Sequence, residues 1–264
     1  MKVAVISAEP TCGKSALIEV LGAVYSRSQQ RDVVVFSTGD ITDNIETITN
    51  YEEKNVADSP HIVKSMIEGA EMNDKDLLNY GVRAGQEHVY YFDTNNNSMS
   101  PEDKMEFIIG AIEKVPSGLT LVEICGDVES ELNRAVMAKC DCSIMLVDPS
   151  LKGFRKFKEE ANKLPKGAMQ MNMAITLSRL DSRTMGDKLL AAKMGINAKQ
   201  IHRFPYNINI PKLSVNKQLD EIAYKIIIGD SEVVGLRTPM LELMQFIFDS
   251  PTRKIIREVS RWYK

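Results

Sequence analysis

The residues with the plainest chemical purpose stand at positions 8–15, Ala8-Glu9-Pro10-Thr11-Cys12-Gly13-Lys14-Ser15. The run follows the phosphate-loop pattern G-x-x-x-x-G-K-[ST], with Ala8 in place of the first glycine. Such a loop curls its backbone around phosphate oxygens, so Gly13 must let the chain come close. Lys14 then reaches the β- and γ-phosphates, and the Ser15 hydroxyl ligates Mg²⁺. A helix opening at Lys14, with Ala16 in its first turn, adds free N–H groups and the positive end of its dipole. A Gly-Lys-Ser tripeptide at a helix start also arises by chance. This one directly follows an apolar strand, Lys2–Ser7, which is the context the chemistry needs.

A metal at Ser15 calls for a carboxylate at the end of a neighbouring strand. Leu119-Thr120-Leu121-Val122-Glu123-Ile124-Cys125-Gly126-Asp127 supplies Glu123 as the second metal ligand, then Gly126, whose backbone N–H would face the γ-phosphate. A charged Glu among apolar neighbours is costly without a cation or donors. The plainer reading is a strand-end Glu that caps the next helix. Its place at the carboxyl edge of a sheet, where ligands bind, favours the metal.

These residues must be held by a regular frame. Short β-branched runs at 2–7, 32–37, 88–92, 119–124, 142–147, 171–177 and 200–204 read as strands. Between them, 14–27, 60–68, 101–114, 128–138, 151–163, 184–193 and 215–227 read as helices. Val33-Val34-Val35-Phe36 is apolar on both faces, as in a covered parallel sheet. The alternation predicts an α/β fold: a mainly parallel central sheet of about seven strands with helices on both faces. With the phosphate loop after its first strand, this arrangement resembles the P-loop NTPase fold. The polar run 93–98 reads as a surface loop. Residues 1–230 would form the nucleotide-binding domain and 231–264 a short C-terminal helical extension, with helices at 239–248 and from Ser250-Pro251 to Lys264.

The chain has 264 residues, of which 44% are apolar and 26% charged, with a net charge of −3. A globally basic nucleic-acid coat is excluded. Four cysteines, Cys12, Cys125, Cys140 and Cys142, are too few for a disulfide scaffold. No run reaches the roughly 18 apolar residues of a membrane span, and the N-terminus lacks a signal-peptide pattern. A cytoplasmic protein is expected.

In order along the chain, these motifs resemble the MinD/ParA group of phosphate-loop ATPases, a class that also includes dethiobiotin synthetase. The likeness covers about residues 1–230: the phosphate loop, Val33–Phe36, a variable helical stretch at 62–69, the Glu123 strand, and Lys139–Val147. Ile175–Asp181 is similar to the strand whose Asn-Arg pair borders the base, with Ser178 at the Asn place and Arg179 at the Arg. Phe204-Pro205-Tyr206 resembles the segment lying along adenine. The resemblance implies ATP and Mg²⁺ as cofactors, with residues 9–16, Arg179, Pro205 and Tyr206 binding the nucleotide. ATP is favoured because Ser178–Asp181 carries no N-K-x-D guanine signature.

The departures fall on the hydrolytic parts. The family's signature lysine, which reaches across an ATP-sandwich dimer, is Glu9 here. Its water-orienting aspartates are replaced by Ser37-Thr38-Gly39, leaving Asp40 as the nearest catalytic carboxylate beside Lys14. Weak or partner-dependent ATP hydrolysis is expected. The resemblance implies a homodimer on nucleotide binding and a protein partner in a larger assembly, such as a plasmid partition, pilus, secretion or division apparatus. The alternatives are an ATP-dependent ligase resembling dethiobiotin synthetase, supported by Glu123 and Glu9, and a degenerate ATPase fold kept as a scaffold.

Three weaker constellations remain. Cys140-x-Cys142 resembles the metal-sharing cysteines of nickel-inserting ATPases, but paired thiols entering a strand more often pack as small hydrophobes. Cys12 and Cys125 are both expected near the nucleotide, as inert filler. His61, His88 and His202 form no cluster. The last stretch sets Arg253, Lys254, Arg257, Arg261 and Lys264 against Glu258, with Ile255, Ile256, Val259, Trp262 and Tyr263 at helical spacing. Docking on its own domain is favoured over contact with an anionic membrane at the inner face, or with protein or nucleic acid.

Overall fold

The computed structural model describes residues 1–9, 12–39, 78–84, 88–92, 100–164, 173–180, 186–205, 219–233 and 235–248. Eight strands form one sheet: β1 (Lys2–Ser7), β2 (Val33–Ser37), β3 (Val82–Arg83), β4 (Val89–Tyr91), β5 (Leu119–Glu123), β6 (Cys142–Val147), β7 (Met173–Leu180) and β8 (Ile201–Pro205). The order is β3-β4-β2-β5-β1-β6-β7-β8. Every described pairing is parallel except β3 with β4. The parallel strands therefore share one carboxyl edge. Ser37 and Val5 both stand in register with Glu123 there.

Seven α-helices lie among the described residues: α1 (Lys14–Gln29), α2 (Pro101–Lys114), α3 (Glu131–Ala138), α4 (Leu151–Lys163), α5 (Asp187–Met194), α6 (Leu219–Ile228) and α7 (Arg237–Phe248). Alternation along the strands divides the core in two. Val3, Val5, Val33, Val35, Leu119 and Leu121 face α1, α6 and α7. Ala4, Ile6, Val34, Phe36, Val122 and Met145 face the layer of α2, α3, α4 and α5. Helices thus cover both faces, which is why the strands read as unbroken apolar runs.

The two-residue strand β3 was not foreseen: Val82-Arg83 is too short to show a period. The segment at 128–138 begins its helix three residues later than expected. Ser130 caps it, its Oγ accepting from Asn133 N–H at 3.3 Å, and a turn from Asp127 O to Ser130 N–H precedes the cap. α7 starts at Arg237, with Pro239 in the first turn, where its missing N–H costs nothing. Leu243, Met244 and Ile247 of α7 are buried in the same core layer as α1, and Phe248 stacks on Tyr25 at 5.0 Å between ring centres. The expected helices at 60–68 and 250–264 and the loop at 93–98 lie outside the described residues. So does His61.

Candidate functional site

β1 ends at Ser7, and the chain turns back over the sheet edge before entering α1. Ala8 N–H donates to Leu146 O at 3.0 Å, tying the start of the loop to β6. Gly13 caps α1 in the left-handed region, φ 85°, with no heavy atom within 4 Å of where a Cβ would stand. The constraint there is conformation and not volume, and glycine meets it without strain. No side-chain hydrogen bond caps this helix start, which sets the backbone of α1's first turn at the cleft.

The first two residues of α1 turn toward β5. Ser15 Oγ donates to Glu123 Oε1 at 2.9 Å. Lys14 Nζ donates to Ile124 O at 2.5 Å, and stands 3.7 Å from Glu123 Oε1 and 3.6 Å from Cys125 Sγ. The Glu123 side chain is only 7% exposed, so the ammonium and the hydroxyl are what make its burial tolerable. A hydroxyl and a carboxylate on facing elements are hard oxygen donors, the set that a Mg²⁺ ion accepts together with water and phosphate. These residues fit a Mg²⁺–nucleotide.

A cleft of about 840 Å³ opens over this cluster. Ala8, Glu9, Gly13, Lys14, Ser15 and Ala16 line one wall; Glu123, Cys125, Gly126 and Asp127 line the other. Glu160 and Lys163 of α4 close the end. Asp127 is held below its ordinary value, first by the N–H of Glu129 donating to its carboxylate, then by Lys163 at 3.6 Å. Lys152 at the start of α4 brings its ammonium to 3.2 Å from Glu9 Oε1. They attract as charges, but the carboxylate oxygen is off the angle of a hydrogen bond.

The loop after β5 is clamped from both sides. Thr38, just past β2, donates its N–H to Glu123 O and accepts from Cys125 N–H, each at 2.9 Å. On the far side, Asn133 of α3 donates to Cys125 O and to Asp127 O, each at 2.8 Å.

Glu9, Gly13, Lys14, Ser15, Ala16 and Glu123 all line this one cleft. Cys12 is not part of the cleft wall: it is 3% exposed, packed in the core beneath the loop, and burial pushes its thiol up. Cys125 does line the cleft. Pro205 ends β8, three strands from β1, and lies outside the cleft lining. The backbone of Arg179 is in β7; its side chain, and Pro10, Thr11, Asp40 and Tyr206, lie outside the described residues. Cys140 donates to Val136 O, and burial pushes Cys140 and Cys142 up to about 12 and about 11, which opposes the thiolate a metal needs. Thr38, Asn133, Lys152 and Lys163 were not singled out by sequence. Each acts across a tertiary contact, and no local pattern marks it.

No family model matches the sequence, and no curated protein matches it. Solved structures do. A ParA family ATPase from Chlorobium tepidum superposes with a TM-score of 0.68 at 13% identity, covering 92% of this chain and 97% of that one. The MinC:MinD cell division protein complex of Aquifex aeolicus gives 0.64 at 11% identity, covering 95% and 96%. The septum site-determining protein MinD of Pyrococcus horikoshii, complexed with Mg-ADP, gives 0.53 at 11% identity, covering 100% and 95%. At these identities the likeness is one of architecture: this chain has the fold of the ParA and MinD ATPases.

Proposed function

We propose that this protein binds ATP with Mg²⁺ at the Lys14–Ser15–Glu123 cluster and uses it as a dimerisation switch that positions or assembles a partner machine. The observation that carries the reading is the convergence of an ammonium, a hydroxyl and a buried carboxylate from α1 and β5 at the mouth of a cleft at the sheet's carboxyl edge. Ser15 and Glu123 would hold Mg²⁺, which neutralises phosphate charge. Lys14 would leave Ile124 O for the β- and γ-phosphates, and the loop from Glu9 to Gly13 would cradle them. Arg179, Pro205 and Tyr206 are proposed to border the base, and Asp40 to orient water. With Glu9 at the signature-lysine position, turnover is slow or waits for a partner.

The kind of task, partition or division-site placement, follows by analogy with the similar folds and with the MinC:MinD complex. Light scattering tests the switch: Mg-ATP should double the mass of the wild-type protein and leave Lys14→Ala monomeric. A mass that ignores nucleotide, in a protein that binds it, would remove the switch. A second reading, an ATP-dependent ligase, is favoured by the run of the cleft past the phosphate loop to Asp127, Glu160 and Lys163. It requires ATP turnover that starts only when a carboxylic acid is added.

A further inference from the structure

The segment between β5 and α3 is pinned residue by residue. Ile124 O accepts from Lys14, Cys125 N–H donates to Thr38, and Cys125 O and Asp127 O share the two N–H groups of Asn133. Gly126 sits between the two carbonyls that Asn133 grips. It adopts the left-handed region, φ 74°, and lines the cleft with no heavy atom within 4 Å of where a Cβ would stand.

Asn133 itself is 2% exposed. Both groups it faces are acceptors, so its nitrogen must be the atom turned toward them. Its Oδ1 is buried and has no donor among the described residues. An apolar side chain would fill this place without leaving a buried oxygen unpaired. The asparagine is accounted for by what its nitrogen holds. Cys125 O lies in the same peptide plane as the Gly126 N–H, so the amide's hold on it fixes where that N–H points, while its hold on Asp127 O anchors the chain on the far side of Gly126.

We propose that Asn133 is a positioning residue that sets the Gly126 N–H against the terminal phosphate of a bound nucleoside triphosphate, so that the site distinguishes triphosphate from diphosphate. The proposal rests on the nucleotide reading above. A diphosphate draws on Gly13, Lys14 and Ser15; only the third phosphate draws on the wall that Asn133 holds. Thr38 and Lys14 fix the first half of that wall; Asn133 holds Cys125 O and, together with Ser130 N–H, Asp127 O in the second.

The test is the calorimetric affinity of Mg-ATP and Mg-ADP for wild type, Asn133→Ala and Asn133→Asp, with thermal unfolding to confirm the fold. The Asp variant keeps the shape but turns a carboxylate toward two carbonyls. Both variants should weaken ATP about tenfold or more, the loss expected for a hydrogen bond to a charged group, while ADP changes less than about twofold. ATP and ADP weakened alike, or neither weakened, would overturn the proposal. Should either variant fail to fold, Asn133→Ser is measured in its place against the same ratio. A wild type that binds neither nucleotide overturns the nucleotide reading itself, and that failure is seen before any variant is compared.

Discussion

Lys14 and Cys125 meet at the residue scale in a way that can be read chemically. Cys125 Sγ lies 3.6 Å from Lys14 Nζ and 3.5 Å from Ser37 Oγ, on the wall of the cleft. Cys12 and Cys142 are buried and Cys140 is half-buried, and burial pushes each of the three up. Iodoacetamide at about pH 8 should therefore modify Cys125 first, because thiolate and access both govern the reaction. Mg-ATP should slow that modification, as peptide mass spectrometry over time would show; equal labelling of all four would contradict the burial. Cys140 and Cys142 carry a separate consequence for pH. Burial is the main cause of their rise from 9.0, and the neighbouring Cys142 and Asp141 add to it. The unfolded thiols ionise near 9 while the folded ones keep their protons. Stability is then fully present below about pH 9 and falls as pH rises toward 11 to 12. The urea midpoint should drop between about pH 8 and about pH 10.5, and less steeply in a Cys140→Ser, Cys142→Ser variant.

Among the elements, β5 and its exit loop join the parts of the site. β1 delivers the phosphate loop, but β5 delivers Glu123, and β2 supplies Thr38, which ties β5's last residues in place. Thr38→Val keeps the shape and removes the acceptor of Cys125 N–H. It should cost about 1–3 kcal/mol in urea unfolding, since a part-buried donor is left unpaired. Sequence made much of this legible. Gly13-Lys14-Ser15 behind an apolar strand is a local pattern, and Glu123 stands out because a carboxylate interrupts Leu-Val-Ile neighbours. Asn133 and Lys163 were illegible because their roles depend on which helix returns over which loop. That the Cys12 side chain turns into the core was illegible for a related reason: sequence adjacency to Gly13 does not set which way a side chain in a tight loop points. β3 escaped notice because two residues carry no period.

At the scale of the molecule, the described elements form a sheet covered by helices on both faces, and α7 belongs to one of those layers. Leu243 has no exposed surface and packs with α1 and α6 in the layer behind the phosphate loop. Leu243→Ala should destabilise the whole protein by about 2–5 kcal/mol, the cost of a cavity in a packed core. A denaturation curve that remains a single transition, displaced to lower urea, would show this; an unshifted curve would mean that α7 contributes little to the core. No helix among the described residues is long and apolar enough to cross a membrane. The sheet order leaves β1 flanked by β5 and β6, so the loop that follows it opens over the middle of the carboxyl edge. The architecture accordingly places the buried Lys14–Glu123 pair where a ligand can reach it.

Titration calorimetry of Mg-ATP into wild type and Lys14→Ala tests the central claim most directly. The site predicts saturable binding to the wild type at one site per chain, weakened about a hundredfold or more without the lysine, because several charge-assisted bonds to phosphate are lost together. Binding that is equal in the two proteins, or absent from both, would contradict the assignment of this cleft to a nucleotide.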